Sequence, residues 1–264
     1  MQATLTFLGT GTSMGVPTLA CDCAVCTSPD PHDRRLRPSA LVRWSDSEAN
    51  ERTVVIDTGP DFREQALRSK ITRVDAVFYT HSHADHILGL DDLRPLSFIA
   101  ARESGPIPLY ATPETRAVLE HVFDYTFSPS ATYANRARVR LHPVLDRNPV
   151  HGVDFVPIPL FHGKMPIIGY RFGRAAYLTD VSDIPEPSFP LLQDLDLLVL
   201  SALRHKPHPS HATVDQAVGW SRRIGAKQTW LTHIAHELGH EVTNRLLPAG
   251  IALAYDGLSV QVDI

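Results

Sequence analysis

The chain has 264 residues, of which 43% are hydrophobic, and it carries a formal net charge of −4. This length can bury a full core, and we predict one domain over residues 1–264. The mild acidity excludes a general electrostatic attraction to nucleic acid or to membranes, so neither is an expected partner. No apolar run approaches the ~18 residues of a membrane span, and free thiols without an export signal predict a cytoplasmic location.

Strand-like and helix-like segments alternate along the whole chain. We predict strands at residues 4–8, 41–44, 53–57, 74–80, 107–110, 153–161, 168–172, 175–179, 195–200, 229–232, 251–254 and 258–262. We predict helices at residues 62–69, 90–101, 113–123, 213–224 and 241–247. Many strands interleaved with few helices favour an α/β (α+β) fold in which two sheets pack face to face with helices outside them.

A glycine-rich segment follows the first predicted strand. Its glycines, Gly9, Gly11 and Gly15, suggest dinucleotide binding at first sight. Their spacing does not fit that motif, and Val16-Pro17 opposes the helix start that the motif needs. We therefore predict a tight turn whose backbone approaches the functional site.

Cys21, Cys23 and Cys26 lie within six residues and are the three cysteines of the chain. An odd number of thiols cannot pair off as disulfides, so a bound metal explains the cluster better than three unrelated thiols do. A structural zinc takes four ligands, and we expect the fourth to be a histidine from a distant segment. The basic run at residues 34–37 is expected to form a solvated face or to contact a substrate phosphate.

The predicted strand at 74–80 leads directly into the metal-binding signature HxHxDH. The signature supplies His81, His83, Asp85 and His86 on the loop after the strand. Imidazole nitrogen and carboxylate oxygen together suit zinc, manganese or iron. Because one segment cannot fill two coordination spheres, the cluster predicts further ligands elsewhere and a two-metal centre. The alternative is a His-rich surface loop with no ligand role.

Four more candidate residues lie where a predicted strand ends: Asp57, His162, Asp180 and His233. A lone histidine after a strand is more often structural than a ligand, so singly these residues say little. Together with HxHxDH they resemble the metallo-β-lactamase superfamily, in the same order and along nearly all of the chain. The resemblance implies the four-layer αββα metallo-β-lactamase sandwich.

The resemblance also implies roles for these residues at two divalent metal ions, zinc or manganese. The ligands would be His81, His83 and His162 at one metal and Asp85, His86 and His233 at the other. Asp180 would bridge the metals, Asp57 would orient ligands, and Asp85 would also act in catalysis. Two metals about 3.5–4 Å apart would share a water with a pKa of about 7, so hydrolysis is the expected reaction.

The cysteine cluster narrows the resemblance to the PhnP-type phosphodiesterases. Those proteins have a histidine three residues after the last active-site histidine, which here is His236 after His233. The resemblance therefore implies one structural zinc on Cys21, Cys23, Cys26 and His236, with a role in stability rather than chemistry. It also suggests a homodimer.

The segment from His236 to His240 satisfies H-E-x-x-H, the motif of zincin metalloproteases. That motif needs both histidines on one helix face, and Gly239 is unfavourable inside a helix by roughly 1 kcal/mol. The segment also follows a predicted strand immediately. We therefore do not expect a zincin site.

The loop of residues 204–211 carries three histidines between a predicted strand and a predicted helix. In PhnP-type enzymes a histidine at the position that matches His211 assists proton transfer to the leaving alcohol, and the resemblance implies this catalytic role for His211. His208 is the nearest competitor. The alternative is a surface loop or a neighbour of the helix N-cap.

We therefore expect a metal-dependent hydrolase that cleaves a small or cyclic phosphodiester. One alternative is a ribonuclease Z-type nuclease, which shares HxHxDH but needs an extended arm and a basic surface for tRNA. A second is a PqqB-type biosynthesis protein, whose family has a similar cysteine cluster but departs from the intact metal motif. A third is a non-catalytic protein that captures a ligand through its metals. The sequence leaves the substrate and the choice between zinc and manganese open.

Overall fold

The structure, a computed structural model, describes residues 1–130 and 132–264. These described residues form fourteen strands in two sheets of seven strands each. The first sheet contains β1 (Gln2–Gly9), β2 (Ser39–Ser45), β3 (Glu51–Ile56), β4 (Ala76–Phe78), β5 (Ile107–Ala111), β6 (Val139–Pro143) and β14 (Ser259–Asp263). The second sheet contains β7 (Asn148–Val150), β8 (Val153–His162), β9 (Met165–Phe172), β10 (Ala175–Leu178), β11 (Leu197–Ser201), β12 (Gln228–Thr232) and β13 (Ile251–Leu253).

Both sheets are mixed. The strand order is β14-β1-β2-β3-β4-β5-β6 in the first sheet and β13-β12-β11-β10-β9-β8-β7 in the second. Strands β3 to β6 run parallel to one another, as do β10 to β13, and the other neighbours are antiparallel. Because the carboxyl ends of parallel strands share one edge of a sheet, side chains that follow those strands can gather at that edge.

The described part of the chain contains seven α-helices and three 3-10 helices. The α-helices are α1 (Phe62–Arg68), α2 (Ala84–Ile87), α3 (Arg94–Glu103), α4 (Pro113–Val122), α5 (Asp124–Phe127), α6 (Val214–Ile224) and α7 (His240–Asn244). The 3-10 helices are Pro31–Asp33, Leu90–Leu93 and Glu186–Leu192. None of the described helices combines the length and the apolar character that a membrane crossing requires.

The two sheets pack face to face through a buried aromatic core. Phe78 of the first sheet stacks on Phe155 of the second with ring centroids 4.5 Å apart, and Tyr170 meets Phe78 edge-on. A second apolar cluster fills the space between the first sheet and α1, α3 and α4. A third lies between the second sheet and α6. The layers therefore follow the order helix, sheet, sheet, helix, which confirms the predicted αββα sandwich.

Each of the predicted strands has a counterpart, but β6 and β7 were not predicted. Both are short and contain a proline, Pro143 in β6 and Pro149 in β7, which weakens the strand pattern. The predicted helix at 90–101 is a 3-10 turn followed by α3. Pro95 lies in the first turn of α3, where a residue without an N–H fits a helix start rather than a helix interior.

Candidate metal centre

Strand ends from both sheets bring the predicted site residues together. Asp180 follows β10 after one residue, His162 is the last residue of β8, and His233 comes directly after β12. Together with the residues of HxHxDH they form two groups. Within each group the potential ligand atoms lie within 4.8 Å of one another. The first group is His81, His83 and His162, and the second is Asp85, His86, Asp180 and His233. Asp85 and His86 belong to α2, a single helical turn, rather than to the predicted loop.

The first group presents three imidazoles that are not parallel. Ring centroids are 4.7 Å apart for His81 and His83, and 5.0 Å apart for His83 and His162. Nδ1 of His162 donates to the carbonyl oxygen of Ser210 at 2.6 Å, so Nε2 is the nitrogen of this ring that could bind a metal. Nε2 of His81 is buried and has no hydrogen-bond partner among the described residues. Such an orphaned atom costs about 1–3 kcal/mol, and a bound cation would satisfy it.

The second group is buried and pairs carboxylates with imidazoles. Oδ2 of Asp180 lies 2.8 Å from Nε2 of His86, and its Oδ1 lies 3.1 Å from Nε2 of His233. Oδ2 of Asp85 lies 3.3 Å from the same nitrogen of His86. Burial opposes ionisation of Asp180, but His233 and His86 hold its pKa well below the usual value. The group therefore keeps Asp180 ionised, the state in which a carboxylate binds cations.

Asp180 lies between the two groups. Besides its contacts with His86 and His233, it has a carboxylate oxygen within 4.8 Å of ligand atoms of His162 and His211. The residue is 2% exposed, so it can serve few partners other than these. This placement fits the predicted bridging ligand, whose role stays a prediction. The donor set of nitrogen and oxygen atoms suits zinc or manganese.

Asp57 orients one candidate ligand of each group through hydrogen bonds. Its carboxylate is fully buried and accepts Nδ1–H of His86 at 2.7 Å, and the N–H and the hydroxyl of Thr80 at 2.8 Å each. The Thr80 hydroxyl in turn accepts Nδ1–H of His81 at 3.0 Å. Because both imidazoles use Nδ1 in this way, Nε2 is in each ring the nitrogen that could bind a metal.

The backbone is left-handed at three site residues that follow strands. The φ angles are +62° at Asp57, +55° at Asp180 and +55° at His233. Aspartate and histidine tolerate this region better than most residues other than glycine, but the conformation still costs energy. At each position the chain turns sharply out of a strand.

The structure brings His211, rather than His208, into the metal centre. Nδ1 of His211 lies 3.5 Å from Oδ1 of Asp180, and its ring stacks on that of His233 with centroids 4.8 Å apart. His208 lies one ring further out, with its centroid 5.0 Å from that of His211. Burial and the neighbouring His233 lower the pKa of His211 to about 3. A proton on His211 therefore needs a nearby anion to hold it.

The three cysteines form a second cluster around His236, which we call the thiolate site. Nδ1 of His236 lies 3.2 Å from Sγ of Cys21 and 3.5 Å from Sγ of both Cys23 and Cys26. Bonds of about 2.3 Å to sulfur and about 2.0 Å to nitrogen at a tetrahedral angle place S and N about 3.5 Å apart. The three sulfur–nitrogen distances thus match those of a tetrahedral zinc site.

Backbone N–H groups support negative charge at the thiolate site. The N–H of Cys26 points to Sγ of Cys23, and the N–H of Thr18 points to Sγ of Cys26. The first contact lowers the pKa of the Cys23 thiol to about 6. Burial raises the pKa of the Cys26 thiol to about 11. A cation among the sulfurs would favour the thiolate form of both.

The H-E-x-x-H segment is not a zincin site. His236 precedes α7 and faces the cysteines, whereas His240 is the first residue of α7 and contacts Asn244 at 3.1 Å. The two histidines therefore do not share a helix face, as expected. The segment instead connects β12 to α7, and it carries the histidine of the thiolate site.

Neither interpretation of the basic run at 34–37 holds for Arg35. Its side chain is fully buried and donates to the carbonyl oxygens of Ala235 and Leu238 at 3.0 and 2.7 Å. It also pairs with Asp33 at 2.9 Å. Arg35 thus ties the loop after the cysteines to the segment that carries His236.

Sequence reasoning missed Thr80 and Ser210. Thr80 immediately precedes HxHxDH, and its polar side chain at the end of an apolar run is a weak signal that could have been used. Ser210 acts through its carbonyl oxygen, which any residue possesses. No sequence signal could have identified it.

Comparisons with known proteins agree with this geometry. A protein-family model described as "Beta-lactamase superfamily domain" matches residues 52–234. A protein of Porphyromonas gingivalis strain W83 that is named octanoyltransferase is 38% identical over 260 residues, which are 97% of this chain and 51% of that protein. The chain spans about half the length of this relative and of other curated relatives that it matches.

Two solved structures cover the whole fold. A protein described as a new diphosphatase from the PhnP family is 55% identical, with a TM-score of 0.92 over 99% of this chain and 98% of that one. Zinc-bound PqqB from Methylobacterium extorquens is 19% identical, with a TM-score of 0.75 over 97% and 99%, a likeness of fold. The chain therefore belongs to the β-lactamase superfamily, in its PhnP family, and has the metallo-β-lactamase fold.

Proposed function

We propose that this protein is a dinuclear phosphodiesterase that cleaves a small or cyclic phosphodiester or a related diphosphate. The observation that carries the proposal is the position of Asp180 between two ligand groups. Such an arrangement suits two ions that share one carboxylate. The 55% identical relative described as a diphosphatase supports reaction at phosphorus.

The ligands of the two ions are proposed as the sequence predicted them. His81, His83 and His162 would hold one ion, Asp85, His86 and His233 would hold the other, and Asp180 would contact both. Bound zinc or manganese would supply Lewis acidity and lower the pKa of a coordinated water. A third ion, zinc, would occupy the thiolate site.

The surrounding residues prepare the ligands for this task. Asp57 and the Ser210 carbonyl fix the protonated nitrogen of His86 and His162, so each imidazole presents its other nitrogen. Asp85 is proposed to act in catalysis as well as in binding, because its carboxylate lies in the second ligand group, 3.3 Å from Nε2 of His86.

His211 is proposed to deliver the proton that the leaving oxygen needs. Its imidazole lies against His162, His233 and Asp180, beside both ligand groups. Burial disfavours its protonated form, but an anionic phosphodiester in contact with the ring would favour it. As the bond from phosphorus to the leaving oxygen breaks, that proton would move to the oxygen and avoid an alkoxide product.

The competing functions fit less well. A nuclease for tRNA needs a basic surface, whereas the chain has a net charge of −4. The name octanoyltransferase belongs to a protein about twice as long, of which this chain matches 51%. A cytoplasmic location, a homodimer and one domain over residues 1–264 stay predictions.

The test is a substrate panel with metal-depleted protein reloaded with zinc or with manganese. The panel contains bis(p-nitrophenyl) phosphate, a cyclic alkyl phosphodiester, a dinucleoside diphosphate, nitrocefin and a lactone. We expect the reloaded protein to turn over the phosphorus compounds. The metal-depleted protein should not turn them over. Faster turnover of nitrocefin or the lactone than of every phosphorus compound would contradict the proposal, and no turnover at all would favour a ligand-binding protein.

A further inference from the structure

Glu237 lies between the thiolate site and the loop that carries His211. Oε1 of Glu237 accepts a hydrogen bond from Nη1 of Arg204 at 3.0 Å. Its other oxygen, Oε2, lies 3.8 Å from Nε2 of His236, which is too long for a hydrogen bond but close enough for electrostatic attraction to an N–H on that nitrogen. Nδ1 of His236 faces the cysteine sulfurs, so the two nitrogens of this ring face the thiolate site and Glu237.

Arg204 extends the chain of contacts into the loop. Its Nε donates to the carbonyl oxygen of Lys206 at 3.3 Å, and its Nη2 donates to that of Pro207 at 3.4 Å. Its own carbonyl oxygen accepts the N–H of Val214 at the start of α6. The guanidinium therefore holds the part of the loop that immediately precedes His208 and His211.

The contacts meet around one cavity. A cleft of about 210 Å³ is bordered by Arg204, His208, His211, His233, His236 and Glu237. Its wall includes a proposed ligand of the metal centre, the proposed proton donor and a proposed ligand of the thiolate site. Glu237 and His211 therefore border the same cleft, so a displacement of Glu237 would change the surroundings of His211.

We infer that Glu237 is a positioning residue through which the thiolate site orders the loop of residues 203–211. A carboxylate near the outer nitrogen of a ligating histidine restrains the ring of that histidine, most strongly when the two hydrogen-bond. Here the same carboxylate uses its second oxygen to hold Arg204. A metal at the thiolate site would thus have a second consequence besides stability, because it would restrain His236, next to Glu237 and the loop.

The free energy expected for the Arg204–Glu237 ion pair agrees with a role in positioning. The side chains of Arg204 and Glu237 are 30% and 39% exposed. An exposed pair of this kind contributes about 0.2–1 kcal/mol, which changes the stability of a large domain little but shifts a loop equilibrium about threefold. A backbone bond from Ala235 N–H to the Leu203 carbonyl also joins the two segments, so the test must isolate the side chains.

The test uses cobalt(II) as the probe of the thiolate site. Cobalt bound to thiolates absorbs in the near ultraviolet, so its titration reports this site separately from the nitrogen and oxygen ligands. We expect Glu237→Gln and Arg204→Gln each to weaken cobalt binding about threefold, because coupling acts equally in both directions. The double variant should lose no more than Glu237→Gln alone. Unchanged cobalt affinity in Arg204→Gln would overturn the inference.

Two further readouts accompany the titration. Hydrogen–deuterium exchange of the amides in 203–211 should rise about threefold in both variants, and unchanged exchange in Glu237→Gln would also overturn the inference. Glu186→Gln is the matched control, because Glu186 forms an exposed pair with Arg223 away from both sites. It should change neither readout.

The effect on catalysis rests on the proposed function of His211. Glu237→Gln should slow cleavage of an alkyl phosphodiester more than cleavage of a nitrophenyl ester. If the proposed function is wrong, this difference disappears while the cobalt and exchange results remain. The two failures are therefore distinguishable.

Discussion

The hydroxyl of Thr80 lies 2.8 Å from Oδ2 of Asp57, and it links this carboxylate to His81 of the first candidate ligand group. His86 of the second group contacts Asp57 directly, and His81 of the first group contacts it through Thr80. The orientation of both imidazoles therefore depends on the same buried acid.

Replacing Thr80 with Val, which has nearly the same shape but no hydroxyl, should weaken metal binding at His81. Loss of a contact behind a ligating histidine typically costs 10–100-fold in affinity, and we expect about tenfold here. Thr80→Ser retains the hydroxyl and should bind metal as the wild type does. Competition with a chromogenic chelator measures both affinities. Equal affinities for the Val and Ser variants would show that the hydroxyl does not orient His81.

Replacing Asp180 with Ala should lower the occupancy of both catalytic ions. The carboxylate lies between the two groups, so neither coordination sphere stays complete without it. Elemental analysis of the purified variant measures the loss. Asp146→Ala, which removes an exposed acid, is the control and should keep full occupancy. Full occupancy with unchanged activity in Asp180→Ala would rule out the bridging role.

Cys23→Ser should remove one zinc ion and lower the melting temperature by roughly 10 °C or more. A metal held by Cys23 and His236 closes the long loop between the N-terminal cluster and the end of β12, which restricts the unfolded chain. Asp22→Asn changes an exposed residue between two of the cysteines and should alter neither quantity. If Cys23→Ser instead abolished activity in a stable protein with its zinc intact, the site would not be structural.

His211→Ala should slow hydrolysis of an alkyl phosphodiester by about 10²–10⁴-fold, the usual contribution of general-acid assistance. A nitrophenolate leaves without a proton, so hydrolysis of a nitrophenyl ester should fall far less. Metal content should be unchanged. His208→Ala is the matched variant and should have the smaller effect, because His208 lies one ring further from Asp180. Equal losses on both substrates would assign His211 to positioning or to metal binding.

Arg35→Met should destabilise the fold by about 3–5 kcal/mol. The change leaves the buried Asp33 without its partner and removes donors from two buried carbonyl groups. Arg34→Met, at the exposed neighbouring position, should change the free energy of unfolding by less than about 0.5 kcal/mol. Urea denaturation measures both. Similar small effects for both variants would mean that Arg35 contributes little to the fold.

The strand pattern, together with the family resemblance, predicted which residues the fold gathers into the two candidate ligand groups, because each of those residues follows an apolar strand. His162, Asp180 and His233 are far apart in the chain, yet each lies at the end of such a run. Strand ends are visible in a sequence, and a rigid sheet brings them to predictable places. The αββα fold follows from the same alternation of strands and helices.

The contacts that orient the ligands could not be predicted in this way. The carbonyl oxygen of Ser210 meets His162 from a segment 48 residues away. Arg35 looked like part of a solvated basic run, and its burial depends on the packing of a segment 200 residues further along. These relationships arise from tertiary structure and leave no local pattern.

The left-handed backbone at Asp57, Asp180 and His233 lowers the stability of the fold at the residues on which the proposed activity depends. Glycine at these positions would relieve the backbone but remove the side chain that the site needs. Asparagine accepts the same conformation while it abolishes the negative charge of the two acids. Selection for thermal stability alone would therefore favour replacement of these residues and erode the site.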